Sequence, residues 1–165
     1  MDTTSIIIGL FFVALFIVPI WLIQRSQNKS KGTLSKSFKQ AASTQGLSIS
    51  TSDFWANMYG IGVDEKSNKL LYLAHKPAGE KVMVVDLNTL EKCSIERKTH
   101  QSGNGKHQET VTDRLDLKLI HNDAMHTTYR LEFYEESTSL HMNGEQILLE
   151  KWQKIIGNKL AVAKT

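Results

Sequence analysis

Six histidines, a single cysteine and a scatter of aspartates are the side chains here that could do chemistry. The tightest metal-like group is His121, Asp123 and His126. Zinc centres want three or four ligands at short, fixed spacings on rigid elements, commonly with paired cysteines. One Cys93 and histidines dispersed at 75, 100, 107, 121, 126 and 141 do not make that pattern, so they read as polar loop residues. Cys93 as a nucleophile would need an adjacent base and partial exposure; in an alternating stretch beside Ile95 it reads as core. Asp53, Asp64, Asp86 and Asp113 each fall at a strand or turn boundary, where aspartate is common for local hydrogen bonding. None is spaced from a histidine or a second carboxylate in a way that specifies geometry. The G-x-S-x-G, H-E-x-x-H, P-loop and dinucleotide-binding patterns are absent from the sequence. Gly60-Ile61-Gly62 reads as a bulged strand and Gly103-Asn104-Gly105 as a hairpin turn. The expectation is a chain with no catalytic, cofactor-binding or metal-binding residues.

The chain begins with an uncharged run of eighteen residues, Ile6 to Ile23. About 20 apolar residues cross a hydrocarbon layer as a helix. A cleaved signal would want a basic start, a shorter apolar run and a small-residue cleavage site. Residues 1–5 are instead Met-Asp-Thr-Thr-Ser, and the run closes on Pro19-Ile20-Trp21-Leu22-Ile23. The expectation is a permanent transmembrane anchor over residues 1–23, with Trp21 at the interface.

Net charge is +3 over 165 residues, but its distribution is uneven. From Gln24 to Ser52 there is no acid, and Arg25, Lys29, Lys31, Lys36 and Lys39 all lie there. Basic residues on one flank put that flank in the cytoplasm. This predicts a single-pass inner-membrane protein, N-terminus outside and C-terminal domain cytoplasmic. The localised excess does not look like a nucleic-acid footprint. A lone cysteine excludes an internal disulfide and fits a reducing compartment.

Residues 24–46 read as a basic linker with a short amphipathic helix. Leu34, Phe38, Ala41 and Ala42 share a face, and Gly46 follows as the helix stop. Such a helix either lies on anionic lipid through Lys36 and Lys39 or packs on its own domain. The small apolar area favours packing. Residues 47–165 read as one domain. Short strands are expected over 59–63, 70–75, 81–87 and 90–98, with a mobile connection at 101–106. Leu115, Leu117 and Leu119 alternate with Arg114, Asp116 and Lys118, and Tyr129, Leu131 and Phe133 alternate with Arg130, Glu132 and Tyr134. Period-two alternation predicts antiparallel strands with one face in water. Beyond Thr138 the period becomes helical: Leu148, Trp152, Ile155, Ile156 and Leu160 form a stripe, with Asn143 as N-cap and Gln146 completing a capping box.

This order, about six strands and a terminal helix carrying a central Trp, resembles the pleckstrin-homology-like superfold. In wording it is similar to uncharacterised single-pass membrane proteins common in Bacteroidetes. The similarity rests on Asp53-Phe54-Trp55, Ile61 to Tyr72, Asp86 to Cys93 and Gly144 to Leu160. It implies an α+β fold: a strongly bent antiparallel sheet or partly open barrel, capped by a C-terminal amphipathic helix and tethered by a transmembrane helix. Lipid-binding members use a basic first strand–strand loop, whereas Asp64 to Lys69 here holds two acids against two lysines, so headgroup recognition is not carried over. The reading is a non-catalytic, membrane-anchored adaptor. It binds a protein partner through an exposed strand edge or the groove beneath the terminal helix, with Phe54, Trp55 and Trp152 as groove candidates. Trp21, Arg25, Lys29, Lys31, Lys36 and Lys39 are the membrane-contact candidates. The alternatives are a module for anionic lipid or a small ligand, or an accessory subunit of a larger membrane complex.

Overall fold

The computed structural model describes residues 32–77, 79–103, 109–138 and 142–163. The Ile6–Ile23 run, its orientation, and Trp21, Arg25, Lys29 and Lys31 lie outside the described residues. Among the described residues no helix is long and apolar enough to cross a membrane.

The fold is α+β, with two antiparallel sheets and two helices. Helix α1, residues 32–44, is followed by β1 (Thr51–Trp55), β2 (Tyr59–Asp64), β3 (Lys69–Lys76) and β4 (Gly79–Asp86). These four strands pair in sequence order. A 3-10 turn, Leu87–Thr89, leads into β5 (Leu90–Ser102), β6 (Glu109–His121) and β7 (Thr128–Glu135), the second sheet. Helix α2, Glu145–Ala163, is the last element among the described residues.

Helix α1 stops where Gly46 takes a left-handed φ of +65°. The Leu47 N–H reaches the Ala42 carbonyl at 2.9 Å and the Gly46 N–H reaches Ser43 at 3.0 Å. That pair of bonds is a Schellman motif, which only a residue tolerant of positive φ closes cheaply. The helix buries Leu34, Phe38 and Ala42 against Leu71 and Leu73 of β3. The apolar layer of the domain therefore reaches back to Leu34, beyond a boundary drawn at residue 47.

Three sequence expectations change. Gly60 and Gly62 sit in an unbroken register with both β1 and β3, so they are not a bulge. They make room for a neighbour: a Cβ on Gly60 would lie 2.9 Å from the Phe38 ring, and one on Gly62 2.9 Å from the same ring and 2.8 Å from Ile49. The bare outer face of β2 is the socket for Phe38. Second, α2 begins after Gly144, whose carbonyl takes the first helical bond from Leu148 at 3.1 Å. The Asn143 N–H donates to the Glu145 carboxylate, so the acid at the first helical position ties down the residue before the helix, and Gly144 rather than Asn143 takes the N-cap position. The stripe keeps Trp152, Ile156 and Leu160 and is completed by buried Leu149, with Leu148 and Ile155 only partly buried. Third, Thr51–Trp55, outside the strands expected from the sequence, forms β1, and β5 continues to Ser102 because its ladder with β6 continues, Gln101 opposite Thr110.

Trp55, Tyr59, Ile61 and Tyr72 from the first sheet, Leu115, Leu117, Leu131 and Phe133 from the second, and Leu149, Trp152 and Ile156 from α2 form one core. Asp53-Phe54-Trp55 shows how one short stretch serves three elements. Asp53 accepts from the Trp152 indole at 2.9 Å and pairs with Lys151 at 2.7 Å, fastening β1 to α2. Phe54 points to the other face and meets Phe38 edge-on at 5.1 Å. Trp55 turns inward again, stacking on Phe133 at 4.5 Å.

Candidate functional site

Strand β4 ends the first sheet, and β3 is the strand it pairs with. Along β4 the side chains alternate between faces. Glu80, Val82 and Val84 take the outer face, and Val82 and Val84 are 41% and 36% exposed. Their cross-strand neighbours are Leu73 and Leu71, which α1 covers completely. The apolar outer surface thus continues from beneath the helix into solvent at the edge. Between α1 and β4 runs a cavity of about 290 Å³ bordered by Gln40, Ala41, Thr44 and Val82.

On the inner face Lys81 sits opposite Ala74, at the mouth of a cavity of about 320 Å³ that Lys76, Arg114, Arg130 and Glu132 also line. Behind it is a buried polar network. Alternation predicted water on the Arg114, Asp116, Glu132 and Tyr134 face. Instead Asp116 is 2% exposed, Glu132 9% and Tyr134 6%. A bulge between Leu115 and Asp116 shifts the β6–β7 register, and residues of the first sheet cover the acids. The Tyr59 hydroxyl donates to Glu132 Oε1 at 2.5 Å, the Tyr72 hydroxyl to the Glu132 carbonyl at 2.8 Å, and Lys76 Nζ to the Glu132 carboxylate at 2.9 Å and to Glu135 at 3.3 Å. Arg114 Nε donates to Asp116 Oδ2 at 2.7 Å, while the Asp116 Oδ1 is buried with no hydrogen-bond partner among the described residues.

The environment sorts these groups by charge. Burial pushes the Glu132 carboxyl up, but donation from Lys76 and Tyr59 outweighs it and holds the acid below its ordinary range. Burial also pushes up Asp116, and the Arg114 guanidinium does not fully offset it. Both tyrosines are raised, by burial first, so their hydroxyls remain donors. The network is a fixed, mostly neutralised plug between the sheets. Lys81 makes no ion pair among the described residues, and stands at its rim as the available cation.

The expected site residues scatter. Lys36 and Lys39 are exposed on α1, whose apolar stripe faces the sheet. Phe54 is 41% exposed on the outer face, whereas Trp55 and Trp152 are 8% and 0% exposed. The first two border a cavity of about 790 Å³ with Leu34 and Met58, but Trp152 is a core residue, so the three do not share a groove. His126 pairs with Glu91 at 3.0 Å and Asp123 accepts from the Thr127 N–H at 2.8 Å, each engaged separately. His100, Asp113 and Glu136 gather donor atoms within 4.8 Å of one another at the surface; His100 contacts Asp113, which raises the imidazole pKa. Burial pushes the Cys93 thiol up to about 12, so it stays protonated at neutral pH. Asp64, whose carboxylate accepts from the Ser48 N–H at 2.9 Å and from Lys66 and Ser67, is held down to about 2 as the organiser of the β2–β3 turn.

Sequence reasoning missed Lys81 and the pair Asp116–Glu132. The Glu80-Lys81-Val82-Met83-Val84-Val85 run marks a strand, but nothing in it marks the end of a sheet. No protein family, no curated protein and no solved structure matches this chain.

Proposed function

We propose that this chain is a non-catalytic, membrane-anchored adaptor whose pleckstrin-homology-like domain binds a protein partner at the cytoplasmic face of an inner membrane. Four strands, then three, then a terminal helix is the element order of that superfold, and it supports the resemblance to the single-pass Bacteroidetes proteins. The uncharged Ile6–Ile23 run and the acid-free basic flank support the anchor and its orientation. The observation that carries the reading is the open β4 edge with Val82 and Val84 in solvent. Unpaired strand edges are templates for another chain, and natural proteins usually blunt them. Adding a strand there supplies backbone hydrogen bonds, with specificity from alternate side chains.

The test is site-specific photo-crosslinking in native membranes. A benzophenone amino acid replacing Val82 should give a discrete protein adduct, and the same probe replacing exposed Glu150 on α2 should give none. Absence of an adduct at Val82, or the same adducts from both positions, overturns the reading.

A second reading rests on Lys36 and Lys39, both exposed on α1. Each cation near an anionic surface contributes about 1 kcal/mol. Salt-sensitive flotation of residues 24–165 with anionic liposomes supports a lipid-binding module; flotation that ignores lipid charge removes it.

A further inference from the structure

We propose that the β4 edge takes one kind of partner: an extended, antiparallel segment in which an acidic residue faces Lys81 and apolar residues face Val82, Met83 and Val84. The inference rests on the adaptor reading and specifies the chemistry of its partner.

Residues opposite each other across a ladder share a face. A residue opposite Lys81 therefore points to the side where Ala74 and Lys76 lie and where the 320 Å³ cavity opens. Four cations border that cavity, Lys76, Lys81, Arg114 and Arg130, against two carboxylates, Glu80 and Glu132. Lys76 and Arg114 are spent on Glu132, Glu135 and Asp116, and Arg130 Nε donates to Glu96 at 2.7 Å. Lys81 has no such partner among the described residues, so an incoming carboxylate meets an available ammonium beside cations that are already compensated. On the outer face, side chains opposite Val82 and Val84 extend the layer of Leu71 and Leu73 beside α1. Opposite Glu80, which holds His75 at 3.1 Å, a basic residue fits. In the antiparallel direction the partner runs apolar, apolar, apolar, acidic, basic.

A second copy of β4 does not meet this pattern. In the antiparallel register that sets Val82 against Val84 of another copy, Glu80 falls opposite Asp86, and like charges across a ladder repel. Two of the other three edges are less open. Carbonyls of β7 accept from Tyr72 and Trp55, and among the strands α2 packs most heavily on β5.

The experiment uses the full chain in nanodiscs and a labelled peptide, Thr-Val-Leu-Val-Glu-Lys-Thr, read by fluorescence anisotropy. Replacing its glutamate by lysine should weaken binding about tenfold or more, because attraction to the Lys81 ammonium becomes repulsion. Lys81→Glu should invert that preference and favour the lysine peptide, and Val82→Lys should remove binding of both. Both positions are exposed, so the thermal melt of each variant should match the parent. Equal binding of the two peptides, an unchanged preference in Lys81→Glu, or edge-to-edge crosslinks between copies overturns the proposal. Failure here together with a Val82 adduct in membranes leaves the adaptor and removes the acidic partner; peptide preference without an adduct does the reverse.

Discussion

At the edge of the second sheet, the backbone of β7 is met by side chains of the first. The Tyr72 hydroxyl reaches the Glu132 carbonyl and the Trp55 indole reaches that of Phe133, both at 2.8 Å. At the edge of the first sheet, β4 carries two exposed valines and a lysine that makes no ion pair among the described residues. Both strands end a sheet, and both present backbone groups that want partners. Among the described residues, two carbonyls of one edge are met by donors from inside the domain, and the other edge is left to solvent. Edge protection here is selective: β7 is used to join the sheets, and β4 is available to something else.

The largest effect should come from breaking the closed edge. Trp55→Ala removes the bond to Phe133 and the stacks on Phe133 and Tyr59, at 4.5 and 5.4 Å. Truncating a buried Trp costs about 3–5 kcal/mol, read as a lower denaturant midpoint. Val82→Ala at the open edge should change stability by less than about 0.5 kcal/mol. Similar losses at the two positions would mean that β4 contributes as much to holding the domain together as β7 does.

Next in size is the wall beside the open edge. Gly62→Val puts a side chain where even a Cβ would lie 2.8 Å from Ile49, 2.9 Å from the Phe38 ring and 3.1 Å from the Thr51 carbonyl. Overpacking of this kind costs about 1–3 kcal/mol. It should also lift α1, uncovering Leu71 and Leu73 beside Val82 and Val84. Limited proteolysis should then cut within residues 32–46 before the sheets unfold. Unchanged protection of that segment would show that Phe38 has another seat, and that the outer surface at β4 does not depend on the socket.

Much of this architecture was legible in the residues. The Leu34-Phe38-Ala42 stripe and Gly46 specify α1 and its end, and the leucines of β6 specify its core face. The two glycines of β2 were visible as a triplet, but their purpose depends on a helix 22 residues earlier in the chain, from Phe38 to Gly60, and spacing along a strand holds no record of that. The Asp116–Glu132 pair was placed in water because alternation assigns a polar residue to the solvent face. A bulge and the tyrosines of another sheet decide otherwise, and both are tertiary facts. The open edge was unreadable for a related reason: a run such as Val82-Met83-Val84-Val85 looks the same in a central strand as in an edge strand.

The smallest expected effect lies inside the network that backs the open edge, where two buried carboxylates differ in the sign of their response to acid. Glu132 is held below its ordinary range by Lys76 and Tyr59 against the opposing effect of burial. Its contribution to stability is present above its unfolded pKa and lost as pH falls through the depressed folded value. Asp116 is raised by burial above its ordinary 3.8, so the folded state takes up a proton before the unfolded state does. Its contribution runs the other way, and stability rises as pH falls through that raised value. Lys76 and Arg114, the facing cations, are both raised and stay charged throughout. Urea midpoints followed from about pH 7 to pH 3 should therefore fall more steeply in Asp116→Asn than in the parent, because the offsetting gain is gone. In Glu132→Gln the acid loss should be shallower from a lower starting midpoint, since Lys76 has lost its charged acceptor. Parallel pH profiles for the parent and Asp116→Asn would mean that Asp116 is hydrated in solution, and that the plug behind Lys81 is open to water as β4 is.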